Sequence, residues 1–81
     1  MRHFAERFDI TVTQAESLRH LVDLAAKAQE DEHSDPVADH ARIACDTADG
    51  FAAILGLRLD WNPGIYPLVV KGELSEHLPE D

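Results

Sequence analysis

The sequence has one cysteine, Cys45, so no internal disulfide braces it. It has no long hydrophobic run either. The longest unbroken apolar stretch, "FAAIL" at 51–55, is far short of the roughly 20 residues that a membrane-spanning helix needs. Positive charge is scarce: seven Lys and Arg stand against sixteen Asp and Glu, a formal net charge of −9. That balance argues against direct nucleic-acid binding, whose affinity comes largely from Lys and Arg neutralising phosphates, and against binding to anionic membranes. Four Gly and four Pro among 81 residues, with 44% hydrophobic residues, place the chain with ordinary globular sequences. The length suits one small domain, residues 1–81, with a thin core. The opening "MRHFAERFDI" carries charge throughout and does not read as a signal peptide, which points to a reducing, intracellular setting.

Catalytic signatures are also missing. There is no G-x-S-x-G, no phosphate-cradling glycine loop and no dinucleotide fingerprint. His33, His40 and Cys45 are the candidate metal ligands, but they lack the paired, closely spaced Cys and His of structural zinc sites. Cys45 lies beside an alanine seam in mid-helix, where a thiol behaves as a small buried hydrophobe rather than a nucleophile. The expectation is a protein without catalytic residues, metal or cofactor.

What is present is helical pattern followed by a turn-rich, aromatic end. Residues 2–8 read as a short helical turn and 9–12 as an extended link. "TQAE", Thr13 to Glu16, reads as a capping box that opens a helix at Gln14, with Leu18, Leu21, Val22, Leu24, Ala25 and Ala28 on its apolar side. Asp35 as N-cap, Pro36 at the first helical position and Gly56 past the last turn bound a second helix. Its seam, Val37, Ala41, Ala44, Ala48, Phe51 and Leu55, repeats at 4, 3, 4, 3, 4 and is lined mostly by small residues. Small side chains allow close approach, so the two helices are expected to pack as an antiparallel hairpin.

Leu57 to Asp60 alternate as a short strand, "NPGI" at 62–65 has the residues of a type II turn, and a second strand is expected over Ile65–Val70. "KG" at 71–72 marks a hairpin turn, with Leu74 and Leu78 continuing as a third strand or a helical turn. Pro67, lacking an N–H, belongs on an edge or at a bulge. The fold class is therefore α+β, two antiparallel helices with a small C-terminal antiparallel hairpin or meander. Trp61 and Tyr66 read either as lids on the core or, with Ile65, as an exposed anchor for a partner.

The acids carry the sharpest functional signal. Asp35, Asp39, Asp46 and Asp49 are spaced 4, 7 and 3 along the second helix, opposite the alanine seam, with Glu30, Asp31 and Glu32 just before it. One reading is a solvated face partly neutralised by Arg42. The other is a row of carboxylates at one-turn steps of about 5–6 Å that occupies a groove built for nucleic-acid phosphates. The C-terminal "GELSEHLPED" adds a second acidic patch.

Size, acidity and the compact α+β plan across the whole chain resemble the small inhibitors carried by phages and mobile elements, anti-CRISPR proteins in particular. That resemblance implies an inhibitor in the cytoplasm of a bacterial host cell. It would bind a nucleic-acid-handling effector and block either nucleic-acid entry or recruitment of a subunit. The expected partner is a protein with a basic, nucleic-acid-binding surface, met by Asp35, Asp39, Asp46 and Asp49 with Glu30, Asp31, Glu32, Trp61 and Tyr66. The alternative expectation is a structural or regulatory protein that forms a homodimer or larger assembly through the Ala-rich helix 36–55.

Overall fold

The computed structural model describes residues 1–31, 39–62, 64 and 66–79. Three helices, α1 (Arg2–Phe8), α2 (Val12–Asp31) and α3 (Asp39–Ile54), precede three strands, β1 (Arg58–Asp60), β2 (Leu68–Lys71) and β3 (Leu74–His77). The fold is α+β, with the strands in an antiparallel sheet of order β1-β2-β3.

The link between the first two helices is tighter than the sequence reading. α1 ends when Asp9 turns into the left-handed region, φ 58° and ψ 46°, while the amides of Asp9 and Ile10 bond back to the carbonyls of Glu6 and Ala5. Asp tolerates that conformation better than most residues because its short polar side chain bonds locally. α2 then starts at once. Its capping box is Thr11–Gln14, not Thr13–Glu16: the Gln14 amide donates to Thr11 Oγ1 at 3.0 Å and the Thr11 amide to Gln14 Oε1 at 2.9 Å. Both tetrads fit the motif, and packing selects the earlier one. It turns Ala15, Leu18 and Val22 inward, all fully buried, and leaves Val12 and Leu24 exposed.

α3 closes with a Schellman turn. Gly56 has φ 78°, its amide bonds to the Ala53 carbonyl at 3.0 Å, and the Leu57 amide bonds to the Ala52 carbonyl at 2.8 Å. The start expected at Asp35–Pro36 lies outside the described residues. The small-residue seam is where the periodicity put it: Ala41, Ala48 and Ala52 are buried, and α3 packs chiefly on α2. Gln29, in the last turn of α2, donates to Cys45 Sγ at 3.2 Å in the first half of α3, so the two helices fold back on each other. Gly50 gains nothing from this packing, since a Cβ there would meet no atom within 4 Å. It costs the helix up to about 1 kcal/mol relative to Ala.

β2 begins only after Pro67, because it is the central strand and a proline within it would remove a ladder hydrogen bond. The hairpin loop between β2 and β3 is Gly72–Glu73, one residue later than the expected Lys-Gly pair, with Gly72 at φ 60° as its first central residue. Within the "NPGI" segment, the Gly64 amide bonds to the Trp61 carbonyl at 3.2 Å and Gly64 has φ 146°, far from the roughly +80° of a type II turn. Pro63 and Ile65 lie outside the described residues, and the Asn62 amide is held by Asp60 Oδ1 at 3.0 Å.

The core gathers Phe4 and Phe8, stacked at 4.4 Å, with Ala15, Leu18, Val22, Ala48, Ala52, Leu57, Leu59, Val69 and Leu78. Leu59 and Val69 are register partners and turn the same sheet face to the helices. Ala25, Ala26 and Ala41 are buried between α2 and α3 beyond this cluster. The helical pair thus reaches past the base formed by α1 and the sheet. At about 1.5 Å per residue, the 20-residue α2 alone spans about 30 Å of the molecule's 40 Å long axis.

Candidate functional site

The charges separate between the two parts of this shape. Among the described residues, 1–20 and 57–79 hold five Lys or Arg and six Asp or Glu, a net of −1, whereas 21–31 and 39–56 hold two against six, a net of −4. Three of the five base cations also lie against acids of the base. Arg7 pairs with Glu76 at 2.9 Å, Arg2 with Glu6 at 4.0 Å, and Lys71 with Asp9 at 3.9 Å. Lys71 Nζ further donates to the Phe8 carbonyl at 3.2 Å, a cation at the negative end of α1. The second half of α2 and α3 are left as the electronegative part of the described surface.

Helix rotation sorts the acidic residues of α3. At about 100° per residue, Asp46 falls almost in line with Asp39 and on the side away from the seam. Asp46 is exposed. Asp49 is rotated about 60° from that line toward the core. It is half-buried there, and its Oδ1 accepts the indole Nε1 of Trp61 at 2.8 Å. Asp49 therefore anchors Trp61 as well as carrying charge. Glu30 is exposed in the last turn of α2. Asp31 ends α2 and Asp39 opens α3, while Glu32 and Asp35 lie outside the described residues.

Trp61 and Tyr66 take different positions. Trp61 packs half-buried against the core and spends its N–H on Asp49, as a lid would. Tyr66 is 44% exposed, with the Arg19 guanidinium 5.5 Å above its ring. Lost solvation and then the Asp23 carboxylate raise its phenol above the ordinary 10.0, a hydrogen bond to Asp23 adds to the rise, and Arg19 pulls the other way. Ile65, the third member of the expected anchor, lies outside the described residues.

A cleft of about 270 Å³ is lined by Arg19, Val22, Tyr66, Pro67, His77 and Leu78. Arg19 works there as a rivet. Its Nη1 donates to the Leu78 and Pro79 carbonyls at 3.3 and 2.7 Å, and its Nε lies 3.0 Å from Asp23 Oδ1, a charge contact rather than an aligned hydrogen bond. The guanidinium is committed to the chain's own groups, which makes it a poor hook for an anionic ligand. Among the described residues, no three His, Cys, Asp or Glu side chains converge as a metal site would require, and His33 lies outside them. No helix among them is long and apolar enough to cross a membrane.

Periodicity did not single out the outward side of α3. Ile54 is 81% exposed and Ile43 is 56% exposed, the two most exposed large hydrophobic residues described. Eleven residues separate them, three turns of helix, so they share one face with Thr47 and Gly50 between them. The available signal was negative: both isoleucines fall off the seam that accounts for every other large apolar residue of the helix.

No family model matches the chain, and neither does any curated protein or any solved structure.

Proposed function

We propose that the protein is a binding module that applies its acidic helical pair to a basic surface of another protein, and that it inhibits a bacterial nucleic-acid-handling complex by competing with nucleic acid for that surface. The observation that supports this reading is the separation of charge among the described residues: a net of −4 on 21–31 and 39–56 against −1 on the base. Complementary charge steers encounter and selects partners over several ångströms, so an unbalanced end is the part of the molecule that a basic surface meets first. Exposed Asp46 and Glu30 then carry the contact, whereas Asp49 and Trp61 hold the base of the helix in place.

Self-association through the Ala-rich helix is the second reading. Within one chain that seam already packs against α2, with Ala41, Ala48 and Ala52 buried. A dimer would need another face.

The test is capture by tagged protein from bacterial lysates that contain candidate nucleic-acid-handling complexes, at low and high salt, read by quantitative mass spectrometry. The expected result is retention of one such complex, released at high salt and displaced by added DNA or RNA. Retention that neither salt nor nucleic acid disturbs sinks the proposal.

A further inference from the structure

The acidic helical pair carries an apolar feature, along the outward side of α3, that charge alone does not explain. Ile43 and Ile54 stand on the outward face of α3, 56% and 81% exposed, with Gly50 on the same face one turn before Ile54. A Cβ at Gly50 would touch none of the described residues, so none of the described elements requires the glycine. A helix surface with two bulky knobs and a residue without side chain between them lets another helix approach the backbone closely, as small residues do at tight helix crossings. Asp46 is exposed on the same side, and Asp39 opens the helix in line with it.

We infer that this face, Ile43, Gly50 and Ile54 flanked by Asp46, is a docking surface for a helix of another protein whose apolar ridge is bordered by Lys or Arg. The inference rests on the proposed acidic binding module and adds an apolar element to it. Charge complementarity selects a foreign basic helix over a second copy of this chain. A second copy would bring its own Asp46 and its helical pair, net −4 over residues 21–31 and 39–56, against the same surface, where like charges repel. A basic helix neutralises the acids while its ridge covers the isoleucines.

The probe is a labelled synthetic amphipathic helix with a leucine ridge flanked by lysines, alongside its twin with glutamates in place of the lysines. Fluorescence anisotropy gives affinity, and amide chemical-shift mapping gives location. The lysine peptide is expected to bind and to shift Ile43, Asp46, Thr47, Gly50 and Ile54, and the glutamate peptide is not. Gly50→Leu, which fills the notch, and Ile54→Ser, which removes a knob, should each weaken binding about tenfold or more with unchanged circular dichroism. Shifts that map elsewhere overturn the inference. If Asp46→Lys weakens binding while Gly50→Leu and Ile54→Ser do not, the apolar docking face fails and the charge-based reading stands; if none of the three has an effect, both fail. A dimer of the unmodified protein in sedimentation, dissociated by Gly50→Leu, assigns the face to a second copy and overturns the foreign-helix inference.

Discussion

Asp49 Oδ1 and Trp61 Nε1 meet at 2.8 Å, and this one bond ties the aromatic segment after β1 to the side of α3. Trp61 is the chain's sole tryptophan, so its fluorescence reports the contact without interference. Asp49→Ala should cost about 1.5–3 kcal/mol in urea unfolding, the usual range for a hydrogen bond to a charged group. Its emission should move to the red. Asp49→Asn keeps an acceptor oxygen, and should retain most of the stability while removing the charge.

The start of α2 distinguishes two overlapping motifs. Thr11→Ala removes the hydroxyl that caps the Gln14 amide, and is expected to lower stability by about 1 kcal/mol in thermal or urea unfolding. Thr13→Ala, in the motif that packing rejects, should stay within about 0.5 kcal/mol of the unmodified protein.

Asp9 offers a change of opposite sign. It holds φ 58°, and the Lys71 ammonium lies 3.9 Å from its carboxylate across an exposed surface. Asp9→Gly relieves a left-handed strain of about 1 kcal/mol and gives up an ion pair worth less than that. A gain of about 0.5 kcal/mol is expected, and a loss would show that the carboxylate holds Lys71 at the end of α1.

Tyr66 is the sole tyrosine, so tyrosinate absorbance titrates it alone. Burial and Asp23 raise its folded pKa above 10.0. A group with a raised folded pKa favours the fold while protonated, so its contribution is complete below about pH 10 and disappears as pH rises through the folded value. Tyrosinate should therefore appear at higher pH in the native protein than in denaturant. Tyr66→Phe should flatten the decline of stability above about pH 10.

How much of this was legible in the sequence follows the range of the interaction. The α3 seam and its glycine stop were readable because periodicity and Gly56 are local signals. The first two strands are readable from alternation and turn residues, but the third is not separable from a helical turn in the sequence, and only the central place of β2 in the sheet rules Pro67 out of it. Thr11 and Thr13 satisfy the same capping pattern, and the choice between them depends on which face of α2 meets α1 and α3. The links Asp49–Trp61, Arg7–Glu76 and Arg19 with the Leu78 and Pro79 carbonyls join residues far apart in the chain. No spacing rule anticipates them. The acidic row was visible as a row, yet only the fold shows that Asp49 turns inward while Asp46 remains outside.

Location of charge, rather than its amount, is the point most open to direct measurement. Two double variants serve: Glu30→Lys with Asp46→Lys on the helical pair, and Glu16→Lys with Glu73→Lys on the base, all four positions exposed. Each replaces two acids by two lysines and moves the net charge from −9 to −5. The measurement is the amount of nucleic-acid-handling complex retained by each variant at low salt, relative to the unmodified protein. Loss of about tenfold or more for the Glu30/Asp46 pair, with near-full retention for the Glu16/Glu73 pair, is the expected result. Equal loss in both would show that only bulk charge matters, and equal retention would show that the acidic helical pair is not the binding surface.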